Sequence, residues 1–152
     1  MIPILPSLND GWLSGFIDAE GCFNVSIHNR KNTKTNSRVM LRFILDQKNS
    51  ESLFKSIYNL FNYGFISLRF KTNNVFRFTI NSFEGLVFVR LYLDNFPLKT
   101  KKLISYSLWL KILNMILNKE HLDIEGLNII EKLSKTININ NSLTKKIGSS
   151  NK

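Results

Sequence analysis

Two acidic residues at the end of a predicted helix are the first candidates for chemistry in this sequence. Ser7-Leu8-Asn9-Asp10 predicts a capping box at the helix start, and Gly21 is predicted to end the helix in the usual C′ position. Asp18 and Glu20 then fall in the last turn, where the helix dipole disfavours a carboxylate by about 0.3 to 1 kcal/mol. A nearby cation is therefore expected.

A stripe of small residues runs along the same helix and ends beside these acids. Gly11, Gly15 and Ala19 recur every four residues, and a mid-helix glycine costs about 1 kcal/mol relative to alanine. Close approach of a second helix would explain that cost. A twin helix would bring a second Glu20 beside the first, and adjacent carboxylates repel unless metal ions neutralise them. We therefore expect a divalent cation held by oxygen atoms, with Mg²⁺ as the natural candidate; the alternative is a surface acid near a basic sheet.

The residues on the rest of this helix and the elements after it follow regular apolar patterns. Trp12, Leu13, Phe16 and Ile17 are expected to face the core. Period-two alternation predicts strands over 24–28 and 38–43, joined by a basic tip from His28 to Arg38, and over 65–71 and 75–80. Helical spacing predicts helices over 53–61, 83–93, 103–117 and 124–133.

These elements give the order α-β-β-α-β-β-α with extra helices at the C-terminal end, in an α+β fold. A chain of 152 residues is expected to form a single domain, 1–152. The segment 138–152 is rich in Asn, Ser, Lys and Thr, and we expect it to be a flexible tail.

Positive charge is concentrated in the strand-rich part of the chain. The formal net charge is +10, and the stretch from Asn24 to Thr79 holds ten basic and two acidic residues, which is +8 of that total. An ordinary solvated sheet face would mix the two signs. The nearly uniform sign favours a polyanionic partner.

The strand phase indicates which side chains would meet that partner. Residues 25, 27, 39, 41 and 43 are apolar and are expected to bury one face of the sheet. A strand face of Arg, Lys, Asn and Ser suits the major groove of DNA. The predicted DNA contacts are Asn24, Ser26, His28, Arg30, Lys31, Lys34, Arg38, Met40, Arg42, Lys48, Ser67, Arg69, Lys71, Arg77 and Thr79.

Several classes of protein are excluded by composition. No run of about 20 uncharged apolar residues is present, so a membrane span is not expected. A single cysteine, Cys22, excludes an intramolecular disulfide, and the two isolated histidines, His28 and His121, do not have zinc-site spacing.

Four segments resemble one known family. Leu13-Ser14-Gly15-Phe16-Ile17-Asp18-Ala19-Glu20-Gly21 closely resembles the signature of the LAGLIDADG homing endonucleases. The segment 43–48 is similar to the family's second strand, which ends in an active-site glutamine, and 96–102 is similar to the segment that supplies an active-site lysine. Residues 118–122 and Gly126 resemble the closing helices of mitochondrial intron-encoded members.

The resemblance implies a role for each matching residue. Glu20 would bind the metal, with the backbone carbonyl of Ala19 as a further ligand, although the name-giving pattern has Asp at the position of Glu20. Gln47 would position the attacking water, and Lys102, with Lys101 as the weaker candidate, would stabilise charge on the scissile phosphate. The implied cofactor is Mg²⁺, for which Ca²⁺ or Mn²⁺ could substitute.

The resemblance also implies an architecture and an activity. The implied αββαββα homing-endonuclease fold has an antiparallel curved sheet with helices on one face and DNA on the other. Its activity would be site-specific hydrolysis of both strands of a duplex at a long target. The helix pair would involve Gly11, Ser14, Gly15 and Asp18. Because the chain carries one copy of the motif, it would act either as a homodimer or as half of a two-motif enzyme.

Two other functions remain open at this stage. An intron RNA-splicing maturase would use the same phosphate-directed residues, but the major groove of A-form RNA is closed to a strand face. A DNA-binding protein without cleavage activity is disfavoured by the presence of Glu20, Gln47 and Lys102. The bias towards Asn, Ile, Lys and Phe, together with the resemblance to intron-encoded members, predicts a mitochondrial origin.

Overall fold

The computed structural model describes residues 6–31, 35–69 and 71–150 of the chain. Within these residues the helices are α1 (Trp12–Glu20), α2 (Glu51–Phe61), α3 (Phe83–Asn95), α4 (Lys102–Leu117) and α5 (Ile124–Ser150). The strands are β1 (Gly21–Asn29), β2 (Ser37–Lys48), β3 (Phe65–Leu68) and β4 (Val75–Ile80). The predicted order of elements and the α+β class are confirmed.

The four strands form one sheet in the order β1-β2-β4-β3. β2 and β4 are antiparallel, with Phe43 opposite Ile80 and Lys48 opposite Val75. β3 and β4 are also antiparallel, and Phe65 lies opposite Thr79. Because β4 lies between β2 and β3, each of its side chains has a neighbour on both sides.

The chain divides into two compact units. The first comprises the segment ending at Cys22 together with Arg42–Lys99, and the second comprises Phe23–Leu41 together with the segment that begins at Thr100. In the first unit, Leu13 and Ile17 of α1, Phe54 of α2 and Phe78 of β4 are fully buried. Burial of each such side chain contributes about 1.5 to 3 kcal/mol, so α1 is anchored through its apolar side.

The second unit has an aromatic core between β1 and α4. Phe23 and Trp109 are fully buried, with ring centroids 5.2 Å apart. Tyr106 packs on the same Phe23 ring at 5.0 Å. These contacts fix the first strand of the hairpin against α4 within this unit.

The C-terminal helix is longer than the sequence pattern predicts. α5 runs from Ile124 to Ser150, whereas helical spacing ends the predicted helix at Leu133 and 138–152 was expected to be flexible. Its buried residues, Leu127, Ile130, Ser134 and Ile137, follow one another at intervals of three and four. This is the spacing of one helix face, and it continues beyond the predicted end.

A polar cluster holds the C-terminal half of α5 in the second unit. The hydroxyl of Ser105, which is 1% exposed, donates to Oδ1 of Asn141 at 2.8 Å and accepts from Nδ2 of Asn140 at 2.6 Å. Nδ2 of Asn141 reaches the carbonyl of Phe23 at 3.5 Å. The segment expected to be a tail therefore makes specific contacts with α4 and β1.

The start of α1 also differs from the sequence-based expectation. The helix begins at Trp12 with Gly11 as its N-cap, so the predicted capping box at Ser7 and Asp10 is wrong. Instead, the Ser7 hydroxyl accepts from the N–H of Asn9 at 3.0 Å, and Oδ1 of Asp10 accepts from the N–H of Trp12 at 3.1 Å. Each side chain closes a local turn ahead of the helix.

Among the described helices, none combines the length and the apolarity that a bilayer crossing requires.

Candidate functional site

The C-terminal end of α1 presents Ala19 and Glu20 to solvent. Gly21 ends the helix as predicted, but as the C-cap rather than the C′ residue, in an extended conformation (φ −74°, ψ 154°) as the first residue of β1. A Cβ at Gly21 would lie 2.6 Å from the carbonyl oxygen of Ile17, which explains the need for glycine. The abrupt change from helix to strand leaves the Glu20 carboxylate at an exposed corner.

The oxygen atoms at this corner fit a hard divalent cation. The last carbonyls of a helix have no amide partner further along it, and here the carbonyl of Ile17 accepts a hydrogen bond from the N–H of Gly21. A carboxylate and a peptide carbonyl are the ligand types that Mg²⁺ and Ca²⁺ prefer. In residues 6–31, 35–69 and 71–150 no three or more His, Cys, Asp or Glu side chains cluster as a metal site. The roles of Glu20 and Ala19 as ligands of a metal ion stay predictions.

The outward side of α1 is flat and lined by small residues. Gly11, Gly15 and Ala19 are all exposed; outside the helix's own backbone, no described atom lies within 4 Å of a Cβ built at Gly15, whereas a Cβ at Gly11 would lie 3.8 Å from Cδ1 of Phe96. Beside them the rings of Trp12 and Phe16 stack at 5.6 Å with an interplanar angle of 12°. Both rings are half-buried, so they are not the core residues that the sequence predicted. The strip is open and partly apolar.

The inward side of α1 is tied to the end of α3 and the segment after it. The N–H of Ser14 donates to the hydroxyl of Tyr92 at 2.8 Å, and that hydroxyl donates to the carbonyl of Asp10 at 2.9 Å. Burial raises the pKa of Tyr92. The Ser14 hydroxyl donates to the carbonyl of Pro97 at 3.4 Å. Ser14 is 5% exposed, so it does not lie on the outward side as predicted for the helix pair.

Asp18 has a role within its own chain. Its Oδ2 accepts a hydrogen bond from the N–H of Lys99 at 2.7 Å. Lys99 is the last residue of the first unit, so this bond ties the end of that unit to α1. Lys102 follows three positions later in the sequence. The sequence predicted Asp18 as a support for the helix pair, and that function stays a prediction.

The remaining predicted catalytic residues are divided between the two units. Gln47 is half-buried in β2 of the first unit, directly opposite Phe76. In the second unit, Lys101 is the N-cap of α4 and Lys102 is its first residue. The N–H of Lys102 donates to Oγ1 of Thr100 at 3.2 Å, which stabilises the helix start. The catalytic roles of these three residues stay predictions.

The hairpin of the second unit alternates largely as predicted. Val25, Val39 and Leu41 are buried on one face, whereas Ile27 is half-buried. The predicted DNA contacts that alternate with these residues are half-buried or exposed. They are Asn24, Ser26, His28, Arg30, Arg38 and Met40. Lys31 is exposed at the tip, and Lys34 lies outside the described residues. This face is accessible in its own unit.

The first unit carries the other predicted contacts on what we call the outer face, which is opposite the buried Phe43, Leu45 and Phe78. Three rows of side chains cross β2, β4 and β3 here, as the strand register requires. The rows are Ile44, Thr79 and Phe65; Asp46, Arg77 and Ser67; and Lys48, Val75 and Arg69. The first row is mainly apolar and the other two are charged.

Two predictions for this face need correction. Thr79 is only 4% exposed because it lies between Ile44 and Phe65 on a central strand, and it is therefore withdrawn as a DNA contact. Lys71 is exposed but lies beyond the end of β3, in a left-handed turn with φ 57°, and so does not belong to the strand. Arg42 is half-buried and Lys48 is exposed in β2, as expected for the outer face.

Asp46, one of the two acidic residues between Asn24 and Thr79, has a role that the sequence patterns do not predict. Its Oδ1 accepts from Nε of Arg77 at 2.7 Å and its Oδ2 accepts from Nη2 of the same guanidinium at 2.8 Å. Nη1 of Arg69 lies 3.5 Å from Oδ2. The hydrogen bond to Asp46 raises the pKa of Arg77 above its usual value. One carboxylate thus organises two of the predicted DNA-binding arginines.

Comparison with known proteins gives consistent matches. The profile of a family described as "LAGLIDADG endonuclease" matches residues 13–113. A Neurospora crassa protein named "Probable intron-encoded endonuclease 4" is 38% identical over 88% of the chain, and a Schizosaccharomyces pombe protein named "Uncharacterized cox1 intron-2 37.2 kDa protein" is 35% identical over 83%. The chain spans 24% and 37% of their respective lengths.

A solved structure shares the fold. It is the I-SmaMI LAGLIDADG homing endonuclease bound to cleaved DNA, with a TM-score of 0.75 and 33% sequence identity. The match covers 82% of this chain and 42% of that one.

Proposed function

This chain belongs to the LAGLIDADG endonuclease family, and from that membership we propose that it is one DNA-binding unit of a site-specific double-strand DNA endonuclease. The observation that carries the proposal is the exposed Glu20 at the end of α1, beside an open strip of small residues. The relatives that are longer than this chain are named as intron-encoded, which supports a homing function for the whole protein.

We assign the chemistry to the residues for which the family resemblance implies catalytic roles. The carboxylate of Glu20 and the carbonyl of Ala19 hold a divalent cation, for which Mg²⁺ is our choice and Ca²⁺ or Mn²⁺ are possible substitutes. When bound, such a cation lowers the pKa of a water and neutralises charge on the phosphate. Gln47 orients the attacking water by hydrogen bonding. Lys102, or with less support Lys101, donates to the scissile phosphate and stabilises its added charge.

A second copy of the fold is part of the proposal. The strip of Gly11, Gly15 and Ala19 allows another helix backbone to approach closely, and the stacked Trp12 and Phe16 supply apolar area at its edge. Pairing through this strip would place one Glu20 near each DNA strand. The second copy is either another molecule of this chain, in an isologous dimer, or the other half of a longer two-motif protein.

The partner that we propose is duplex DNA with a long target site. The exposed side chains of His28, Arg30, Lys31 and Arg38 in one unit, and the charged rows of the outer face in the other, provide phosphate and base contacts. Each phosphate neutralised releases counterions, so the affinity should fall steeply with salt. Intron RNA is the competing partner, and comparing affinities for target DNA and intron RNA at one salt concentration separates the two. The cox1 intron named for one relative supports a mitochondrial origin.

Cleavage of a DNA library by the purified protein with Mg²⁺ tests the proposal. Glu20→Gln keeps the size of the side chain and removes its charge, so we expect binding to be retained and cleavage to fall by at least about 100-fold. Glu84→Gln is the matched control, because Glu84 is an equally exposed acid on α3. Unchanged cleavage by Glu20→Gln would refute the role of Glu20, and an absence of cleavage and binding by the wild type would refute the function.

A further inference from the structure

We propose that Asp46 is a specificity-determining residue: it holds Arg77 side-on so that the free edge of the guanidinium reads a base rather than a phosphate. This inference rests on the proposed DNA-binding function. It extends that function by assigning a role to an acid within an otherwise basic face.

The geometry of the pair is fixed by the strands. Asp46 of β2 and Arg77 of β4 lie directly opposite each other, and Ser67 of β3 is on the far side of Arg77. The two hydrogen bonds, at 2.7 and 2.8 Å, involve Nε and Nη2. Arg69 approaches the same carboxylate oxygen at 3.5 Å. Asp46 thus limits the rotamers that either arginine can adopt before DNA arrives.

The hydrogen-bond inventory of arginine determines what remains available. A guanidinium has about five N–H donors in a planar fork, and the carboxylate uses the Nε side of that fork. The edge formed by Nη1 and the second hydrogen of Nη2 remains for another acceptor pair. Guanine presents such a pair, O6 and N7, in the major groove. A side-on carboxylate therefore leaves Arg77 with the edge that suits bidentate contact with guanine.

The local charge argues against a phosphate as the ligand of Arg77. A phosphate would have to compete with a carboxylate already bonded at two positions, and Asp46 would repel it. In the next row, the exposed Lys48 offers an alternative site for the backbone. A purely structural ion pair is the remaining alternative. The pair is bidentate and partly buried, with the side chains of Asp46 and Arg77 25% and 31% exposed, so it can also contribute to stability, and the selection experiment below separates the two roles.

Binding selection from a randomised pool of target sites, without added Mg²⁺, tests the inference on the purified chain. Asp46→Asn removes the charge and releases Arg77 to reach a phosphate. We expect discrimination at one target position to fall by about five- to 150-fold. We also expect the slope of log affinity against log salt to steepen by about 0.9, because one more phosphate is neutralised.

Two further variants keep the test decisive. Glu51→Gln is the control, since Glu51 also pairs with a cation, Lys55, at 3.3 Å, but lies on α2; it should leave selection and slope unchanged. Arg77→Lys retains the charge but lacks the fork, so it should lose preference at the same target position even if Asp46→Asn fails to fold. The inference is overturned if either folded variant selects the same target sequences as the wild type. It is also overturned if base preference falls equally at every position of the target site. A wild-type chain that selects no sequence overturns the proposed function instead.

Discussion

Ile137 and Ile139 offer a matched test of the C-terminal helix. Both lie on α5 beyond its predicted end at Leu133, two residues apart, and Ile139 also lies in the segment 138–152 that the sequence predicts to be flexible. Ile137 is fully buried, whereas Ile139 is 63% exposed. Replacing each with alanine changes the same atoms in the same helix, so the two variants differ in burial alone.

The magnitudes follow from that difference. Truncation of a buried isoleucine to alanine costs about 2 to 5 kcal/mol, through lost transfer free energy and the cavity left behind. An exposed truncation changes stability by about 0.5 kcal/mol or less. Alanine is also the better helix former, by a few tenths of a kcal/mol, but this gain is common to both variants. We expect Ile137→Ala to be less stable than Ile139→Ala by at least about 1.5 kcal/mol.

Equilibrium unfolding in urea, followed by circular dichroism at one fixed protein concentration, measures the difference. The shift in midpoint multiplied by the slope gives the change in the free energy of unfolding, provided the slopes agree. Fixing the concentration matters because self-association adds to apparent stability. Equal midpoints for the two variants would mean that α5 does not dock through Ile137, and the burial argument would be refuted.

Two further outcomes are expected. Gly15→Leu should abolish pairing and DNA cleavage in sedimentation and cleavage assays without lowering the stability of the single chain, because no described atom outside the helix's own backbone lies within 4 Å of a Cβ there and leucine favours the helix over glycine by up to about 1 kcal/mol; a fully active, paired variant would contradict the pairing role of α1. Burial lowers the pKa of His121 below its unfolded value of about 6.5, so its contribution to stability is fully present above that pH and is lost as the pH falls below it. His121→Gln should reduce the loss of urea midpoint between about pH 7.5 and pH 5, and an unchanged loss would exclude His121 as its source.

Local patterns in the sequence predict most of the elements. The alternation of Val25, Val39 and Leu41 identifies the buried face of the hairpin correctly, because period two is a property of the strand itself. The exposure of Glu20 at the end of α1 also follows from local signals, since Gly21 marks where the helix stops. These features depend on residues close together in the chain.

Features that depend on strand register or on polar packing were not predictable in the same way. The pairing of Asp46 with Arg77 joins residues 31 positions apart, and it becomes visible only when β2 and β4 are aligned. The pattern does not predict the continuation of α5, because the buried Ser134 and the half-buried Asn141 stand on its inward face, where the pattern calls for apolar residues. Polar composition alone suggested a tail, but the hydroxyl of Ser105 satisfies the asparagines of this helix.

The two sides of α1 make it a natural target for redesign. Its inward side is secured to its own chain by Ser14, Tyr92 and Asp18, through bonds that do not involve Gly15 or Phe16. Libraries of variants at the outward positions could therefore be screened for helix pairs that bind each other and do not self-associate. The fold and the predicted DNA-binding face would stay unchanged in such variants.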